Sequence, residues 1–256
     1  MVGPSGLPIS IRRSKILPDQ DILNVISLAD QLYRDRARSG AVKESVTLLA
    51  DYGPVQRPYE IEWRLARALF FLGQEAPSAG ARRQLHAAGI GAGKRAVQVN
   101  SDRVEGRFWL GVNMSLFAEA LMDDSFAARL ARLLWSARCA IAARRELKRA
   151  IQISERYHGA GPLRVLARLL HRMPALLFGS RRQSRELFER ALEICPSNCV
   201  TIIYAAELAL DDGDRNRAKL LLENLIKQPF DAEWEFEQLR YRERARRMLK
   251  EFEEYE

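Results

Sequence analysis

The sequence predicts an all-α chain of stacked helical hairpins, an α-solenoid, and three observations predict it. Apolar residues recur at three- and four-residue spacing in nearly every segment, and none alternates as a half-buried strand would. The breaks between these segments are short, which makes successive helices antiparallel neighbours. Small and large apolar residues also repeat in register toward the C-terminus, as they do in repeat proteins.

The first helix is expected over Asp19 to Arg38, where Ile22, Val25, Ile26, Ala29 and Leu32 form one stripe. A second, Ala41 to Asp51, stops at the turn Tyr52-Gly53-Pro54. A third spans Pro58 to Leu72, with proline at the first turn, where its missing amide is not needed. Ser78 to Val99 and Arg103 to Met122 follow, and Ser125 to Ser154 is one long basic helix or two joined near Trp135. Pro162 to Arg172 leads into an apolar loop, MPALLFGS, from Met173 to Ser180. Ser180 to Ile194 ends at Cys195-Pro196, and Asn198 to Asp211 is closed by Asp212-Gly213-Asp214. Arg215 to Lys227 stops before Pro229, and Asp231 to Phe252 is a charged final helix.

Ser184, Phe188 and Ala191 recur as Ala218, Leu222 and Leu225, each 34 residues later, and Pro196 and Pro229 stand 33 apart. That period and order of small, large, small-or-apolar and proline is the tetratricopeptide pattern. The other half of the motif, W-x2-L-G-x2-Y, is matched by Trp63, Ala66, Arg67 and Phe70, and more loosely by Arg107, Leu110, Gly111 and Met114. Small residues let the two helices of a hairpin approach, and large ones fill the groove to the next hairpin. Ala96, Ala150 and Ala191 play equivalent parts at spacings above 34, so the array carries insertions near residues 115–145 and 172–180. The expected architecture is four or five tetratricopeptide-like hairpins with a C-terminal capping helix. Residues 19–256 form a single helical-repeat domain behind an N-terminal extension, 1–18.

Charge is unevenly placed. Residues 125–185 hold 14 Lys or Arg against Glu146 and Glu155, whereas residues 186–256 hold 11 against 17 acids. A basic block attracts acidic proteins, anionic headgroups or phosphates. No apolar run is long enough to span a membrane, and the first 20 residues show no signal-peptide core or lipid-attachment motif. Cys139 suits a buried thiol, and Cys195 and Cys199 flank a turn short enough for a disulfide to be considered.

Little in the chain points to catalysis. AGIGAGKRA (Ala88 to Ala96) departs from a phosphate-binding loop at Ala88 and Arg95 and follows no strand; Gly89, Gly91 and Gly93 suit close helix packing instead. His86, His158 and His171 have no metal-ligand spacing and no nucleophile set around them. Asp211, Asp212 and Asp214 suit turn and N-cap roles. Asn113-Met114-Ser115 fits a glycosylation sequon but falls inside a helical pattern. No catalytic residue, metal ligand or cofactor is expected.

Binding residues are expected on the concave face, which the first helix of each hairpin lines. Arg64, Asn113, Arg164, Arg168, Arg172 and Glu207 point inward in this register, and Trp109 joins them, although its spacing also suits the core. Four guanidinium groups there would seek carboxylates, and replacing Arg164 with alanine should weaken binding without unfolding. The loop residues Met173, Leu176, Leu177 and Phe178 either pack back or dock on a partner.

The stretches IEWRLARALFFLG, GAGKRAVQVNSDRVEGRFWLGVN, YHGAGPLRVLARLLHRMPALLFGSRRQSRELFERALEICPSN and AAELALDDGDRNRAKLLLENLI resemble the T-component family of tripartite periplasmic (TRAP) transporters. The resemblance spans roughly residues 20–250, and Gly161 to Asn198 is its most specific part. Membership implies a periplasmic, often lipid-anchored helical-repeat protein that associates with the transporter's solute-binding protein. It also implies homo-oligomers, trimers among them, and apolar clefts for hydrophobic ligands. The matching positions are Trp63, Trp109, Asn113, Gly161, Pro162, Arg164, Pro174 and Asn198. No lipoprotein leader is visible in this numbering, so the expected address is periplasmic with a leader removed before it, and cytoplasmic is the alternative; the strong basic block is a second departure from the family.

The function expected is therefore a non-catalytic subunit that grips an acidic surface, or a hydrophobic or carboxylate ligand, along its concave face. The alternative is a general scaffold of a membrane-associated complex, docked peripherally through Ser125 to Ser154. In that segment Phe126, Leu130, Leu133, Leu134, Ala137 and Ile141 form an apolar stripe flanked by Arg129, Arg132, Arg138 and Arg144. Nucleic acid is the weaker reading, because aromatic residues are not interleaved through the basic block.

Overall fold

The computed structural model describes residues 19–52, 58–121, 129–231 and 233–253. Among them are eleven helices and no strand. Five hairpins follow in order: α1 (Asp19–Arg34) with α2 (Ala41–Ala50), and α3 (Tyr59–Glu75) with α4 (Ala79–Val99). Next come α5 (Val104–Ala120) with α6 (Arg129–Ser154), α7 (Tyr157–Arg172) with α8 (Arg181–Ile194), and α9 (Cys199–Asp211) with α10 (Arg215–Lys227). The capping helix α11 (Glu235–Glu253) packs on α9 and α10. The 1–18 extension, the Gly53-Pro54 turn and Phe126 lie outside the described residues, as do the side chains of Arg129, Leu130, Arg132 and Leu133.

Local chemistry sets the helix ends. Side-chain oxygens of Ser78, Ser180, Asn198 and Asp214 accept from the amides of Ala81, Gln183, Thr201 and Arg217, capping α4, α8, α9 and α10. After α9, Gly213 takes φ 80°, its amide reaching Leu210 O while Asp214 N reaches Ala209 O, which closes the helix as a Schellman motif. The expected Asp19 to Arg38 helix ends early, at Arg34, where bonds from Arg38 N to Asp35 O and Ala41 N to Arg38 O tighten the chain into α2. The long basic helix α6 is unbroken at Trp135.

The repeat positions read from the sequence are packing positions. Ser184, Ala191, Ala218, Leu222 and Leu225 are fully buried and Phe188 nearly so. A second regularity runs beside them. The hydroxyls of Ser45, Ser136 and Ser184, each on the second helix of a hairpin, donate to the carbonyls of Ala29, Ala118 and Ala167 on the first, at 3.2, 2.9 and 2.8 Å.

Glycine sets the α4–α5 crossing. A Cβ on Gly93 would stand 2.9 Å from both Cα and Cβ of Leu110, and one on Gly89 would strike the Asn113 amide. Gly91 is different, because a Cβ there would meet only the tip of Arg95. Gly93→Ala is therefore expected to lower unfolding free energy by about 2 kcal/mol. Gly91→Ala should leave it unchanged or raise it by up to about 1 kcal/mol through helix propensity. Paired chemical-denaturation curves separate the two.

Between α6 and the right-handed part of α7 the backbone takes one left-handed turn: His158, Gly159 and Ala160 have φ of 53°, 58° and 59°. Each non-glycine residue in that region costs roughly 1–2 kcal/mol, so something must hold it. Arg164 does. Its Nη1 donates to Gly159 O at 2.8 Å and Asn198 Oδ1 at 3.2 Å, and its Nη2 to His158 O at 3.4 Å. Asn198 also caps α9, so one guanidinium joins the third hairpin's exit to the fifth hairpin's entry.

The solenoid curls until its cap meets its beginning. Arg36, just after α1, pairs with Glu237 of α11 at 2.6 Å and donates to Glu233 O at 2.6 Å. Phe236 packs on Phe71 with ring centroids 5.5 Å apart, and Arg240 pairs with Glu75. Gln238, fully buried, pins the strap before α11 by accepting from Asp231 N and donating to Pro229 O.

Candidate partner-binding cleft

Where α11 faces the first helices of the hairpins, the curled solenoid encloses a cleft of about 550 Å³. One wall is the C-terminal end of α3, with Phe70, Phe71 and Glu75, and of α5, with Leu116 and Glu119. The opposite wall is α11, with Phe236, Tyr241, Arg244 and Arg247. Arg168 of α7 and Tyr204 of α9 form the base, and Arg82 and His86 of α4 complete the rim. The apolar part of the lining is largely aromatic, and the charged part is five arginines against three glutamates.

These arginines are preorganised by stacking and ion pairs. Arg168 lies 4.5 Å from the Tyr204 ring centroid and pairs with Glu207 at 2.6 Å. Glu207 is shared, since Arg244 of α11 pairs with its other oxygen. His86 is 1% exposed and neutral: burial lowers its pKa, and Nδ1 lies 3.2 Å from Asn113 Oδ1. The Asn113 amide nitrogen already donates to Ala66 O and Trp109 O, so Oδ1 is the acceptor and His86 carries its proton on Nδ1. Burial also raises the Tyr241 phenol well above its usual range, which keeps it neutral. The cleft thus offers aromatic faces and a surplus of guanidinium groups, with no nucleophile paired to a base.

The residues expected on the concave face are spread across different parts of the fold. Arg168 lines the cleft and Glu207 is its ion-pair partner. Arg64 is held by Asp30 at 2.9 Å and Glu60 at 2.6 Å, stacked on Trp63 at 4.1 Å. Burial would raise the Asp30 pKa, but Arg64 and Arg67 outweigh it and hold the carboxyl below its usual value. Trp109 is 2% exposed among Phe70, Phe108 and His158, and its indole donates to the Tyr157 hydroxyl. Asn113 is fully buried at the α3–α4–α5 junction. Arg172 is exposed at the end of α7. Arg164 is 4% exposed and bonded to backbone carbonyls and Asn198, which makes it a structural joint away from the cleft, and its replacement is expected to destabilise the fold. The four guanidinium groups do not converge. The register is offset because α1 covers Arg64 on α3, which leaves the cleft to the C-terminal ends of α3 and α5.

The MPALLFGS loop divides. Met173 and Phe178 pack on the core, whereas Leu176 is 97% and Leu177 41% exposed. Cys139, Cys195 and Cys199 are unbridged, and burial pushes the Cys199 thiol up to about 12. Asp214 caps α10 as its turn position implied. Sequence reasoning missed the α11 side of the cleft, whose only local signal was the aromatic spacing of Phe236 and Tyr241 in a charged helix.

Several residues that carry the family resemblance build the joint behind the cleft. Gly161 sits where a Cβ would strike Phe108 at 2.8 Å and with Pro162 opens the right-handed part of α7, and Arg164 and Asn198 bond each other. No helix among the described residues is long and apolar enough to cross a membrane.

Comparison with solved structures supports the architecture. A thermophilic TPR protein of Thermus thermophilus superposes with a TM-score of 0.60 at 20% identity, covering 86% of this chain and 97% of that one. That likeness concerns the fold alone. Yeast Tom70 matches more loosely, with a TM-score of 0.33 and 12% identity over 95% of this chain and 67% of its own, and carries no argument. A comparison with curated protein sequences returns no match. The model of the TRAP transporter T-component family matches residues 82–255, from α4 through the end of α11. The chain belongs to the TRAP transporter T-component family.

Proposed function

We propose that the chain is a non-catalytic, periplasmic partner-binding subunit of a TRAP-type uptake system, and that its cleft engages the system's solute-binding protein. The observation that carries this reading is the aromatic and arginine-rich cleft between α11 and the first helices of the hairpins. An acidic segment of the partner would compete with Glu207 for Arg168 and Arg244 while apolar side chains cover Phe71 and Phe236. A small carboxylate with an apolar body, presented by the partner, would meet the same groups.

Titration with the purified solute-binding protein tests the reading. Arg168→Glu combined with Arg244→Glu is expected to weaken binding at least about tenfold, the scale of one or two charge-assisted contacts. Glu207→Gln, which frees both guanidinium groups, should strengthen it. Unchanged affinity in both variants, with helicity intact, rules the cleft out as the contact.

A further inference from the structure

One convex face outside the cleft combines exposed apolar side chains with unpaired cations. On α6, Leu134, Arg138, Ile141, Arg145 and Lys148 recur at three- and four-residue spacing and share a stripe. Leu134 is 59% exposed, Ile141 53%, and the neighbouring Trp135 63%. The Met173–Ser180 loop meets α6 at the flank of this stripe, where the Arg144 guanidinium lies 5.3 Å from the Phe178 ring. From that contact α6 carries Ile141 and Leu134 of the stripe back by about 5 and 15 Å along its axis.

The loop is locked. Pro174 O accepts from the amides of Leu177, Phe178 and Gly179, and Ser180 N donates to Leu170 O. Gly179 approaches Met173 O so closely that no Cβ fits. With Met173 and Phe178 turned into the core, the loop holds Leu176 out as a fixed apolar tip, 97% exposed. Single exposed leucines are common. The cations flanking the loop and on α6 are largely unneutralised: Arg138, Lys148 and Arg172 have no acidic partner among the described residues, and Arg182 is 78% exposed beside its single Glu186 contact. Of the acids in the segment, Glu146 is shared between Arg107 and Arg145 of the stripe, and Glu155 is taken by Arg190.

We propose that this face docks on an anionic membrane surface, with Leu176, Leu134 and Ile141 entering the headgroup layer and Arg138, Lys148 and Arg172 meeting lipid phosphates. A protein partner would need a recess shaped to a protruding leucine, whereas a fluid headgroup layer admits an apolar tip without one. An apolar helix stripe flanked by basic side chains is the arrangement that favours that layer. None of these residues lines the cleft, so docking leaves the partner site open.

Sedimentation of the full chain with vesicles decides the matter. Binding to vesicles of one-third phosphatidylglycerol in phosphatidylcholine should exceed binding to pure phosphatidylcholine by roughly a hundredfold. It should vanish at about 1 M salt, where charges are screened within a few ångströms. Leu176→Asp and Lys148→Glu, both at exposed positions that leave the core alone, should each weaken it at least about fivefold with circular dichroism unchanged. Equal binding to neutral vesicles would overturn the proposal, as would indifference to both substitutions. Tighter association with polyglutamate or a nucleic acid of equal charge than with the vesicles would overturn it too. Arg168→Glu, a cleft variant, should bind vesicles as the wild type does, so failure of the cleft reading and failure of this one are separate results.

Discussion

Arg164→Ala is expected to lower the unfolding free energy by about 3–4 kcal/mol, a large share of what a domain this size has to lose. Two effects oppose each other at this position. Arg164 is a buried cation whose pKa is lowered by burial, with no carboxylate beside it, and removing such a charge relieves a desolvation cost. Against that, the guanidinium supplies the hydrogen bonds that hold the left-handed turn and Asn198. Without it, those acceptors are stranded at about 1–3 kcal/mol each where water cannot reach them. Arg164→Met separates the effects, because it keeps the volume and removes the charge. If the donors dominate, as the geometry indicates, methionine costs nearly as much as alanine in urea titrations. A stabilised methionine variant would show that the buried charge dominates instead.

Acid is expected to destabilise the fold well before the carboxylates titrate. Burial pushes the His158 pKa down to about 3, with Arg164, Arg67 and Arg36 acting in the same direction. Burial lowers His86 and His171 as well. The folded state resists a proton that the unfolded chain accepts near pH 6.5, so this stability is complete above that pH and is lost progressively as the pH falls toward 3. His158 keeps some contact with water, which screens the shift. A loss of about 2 kcal/mol between pH 7 and pH 5 is expected, most of it from His158. His158→Asn, which tolerates the same left-handed backbone, should flatten that slope even though it loses the stack on Trp234. A variant with the wild-type slope would assign the acid sensitivity to other groups.

The hairpins were legible in the sequence because their period is a packing period. Ser184, Phe188 and Ala191 had to be small, large and small wherever one helix crosses its mate, and their equivalents 34 residues on are equally buried. Helix ends were legible where a cap or proline fixed them, as at Ser78, Asn198 and Pro162, and less so after α1, where a run of turns replaced any single stop signal. The cleft was legible only in part. Arg168 and Glu207 were placed by hairpin register, but contacts such as Arg36 with Glu237 join residues 201 apart and leave no local periodicity to read. The left-handed turn was hidden for a related reason. His158 and Ala160 have no intrinsic preference for that backbone, and the guanidinium that enforces it looks in sequence like one more surface arginine.

The measurement that bears most directly on the central claim is affinity purification from the native cell without crosslinker, using the wild type and the Arg168→Glu, Arg244→Glu variant side by side. The account predicts an extracytoplasmic solute-binding protein in near-stoichiometric amount with the wild type and its loss with the variant. Recovery of that protein with both forms, or of unrelated subunits with the wild type, would contradict the assignment of the cleft to this partner.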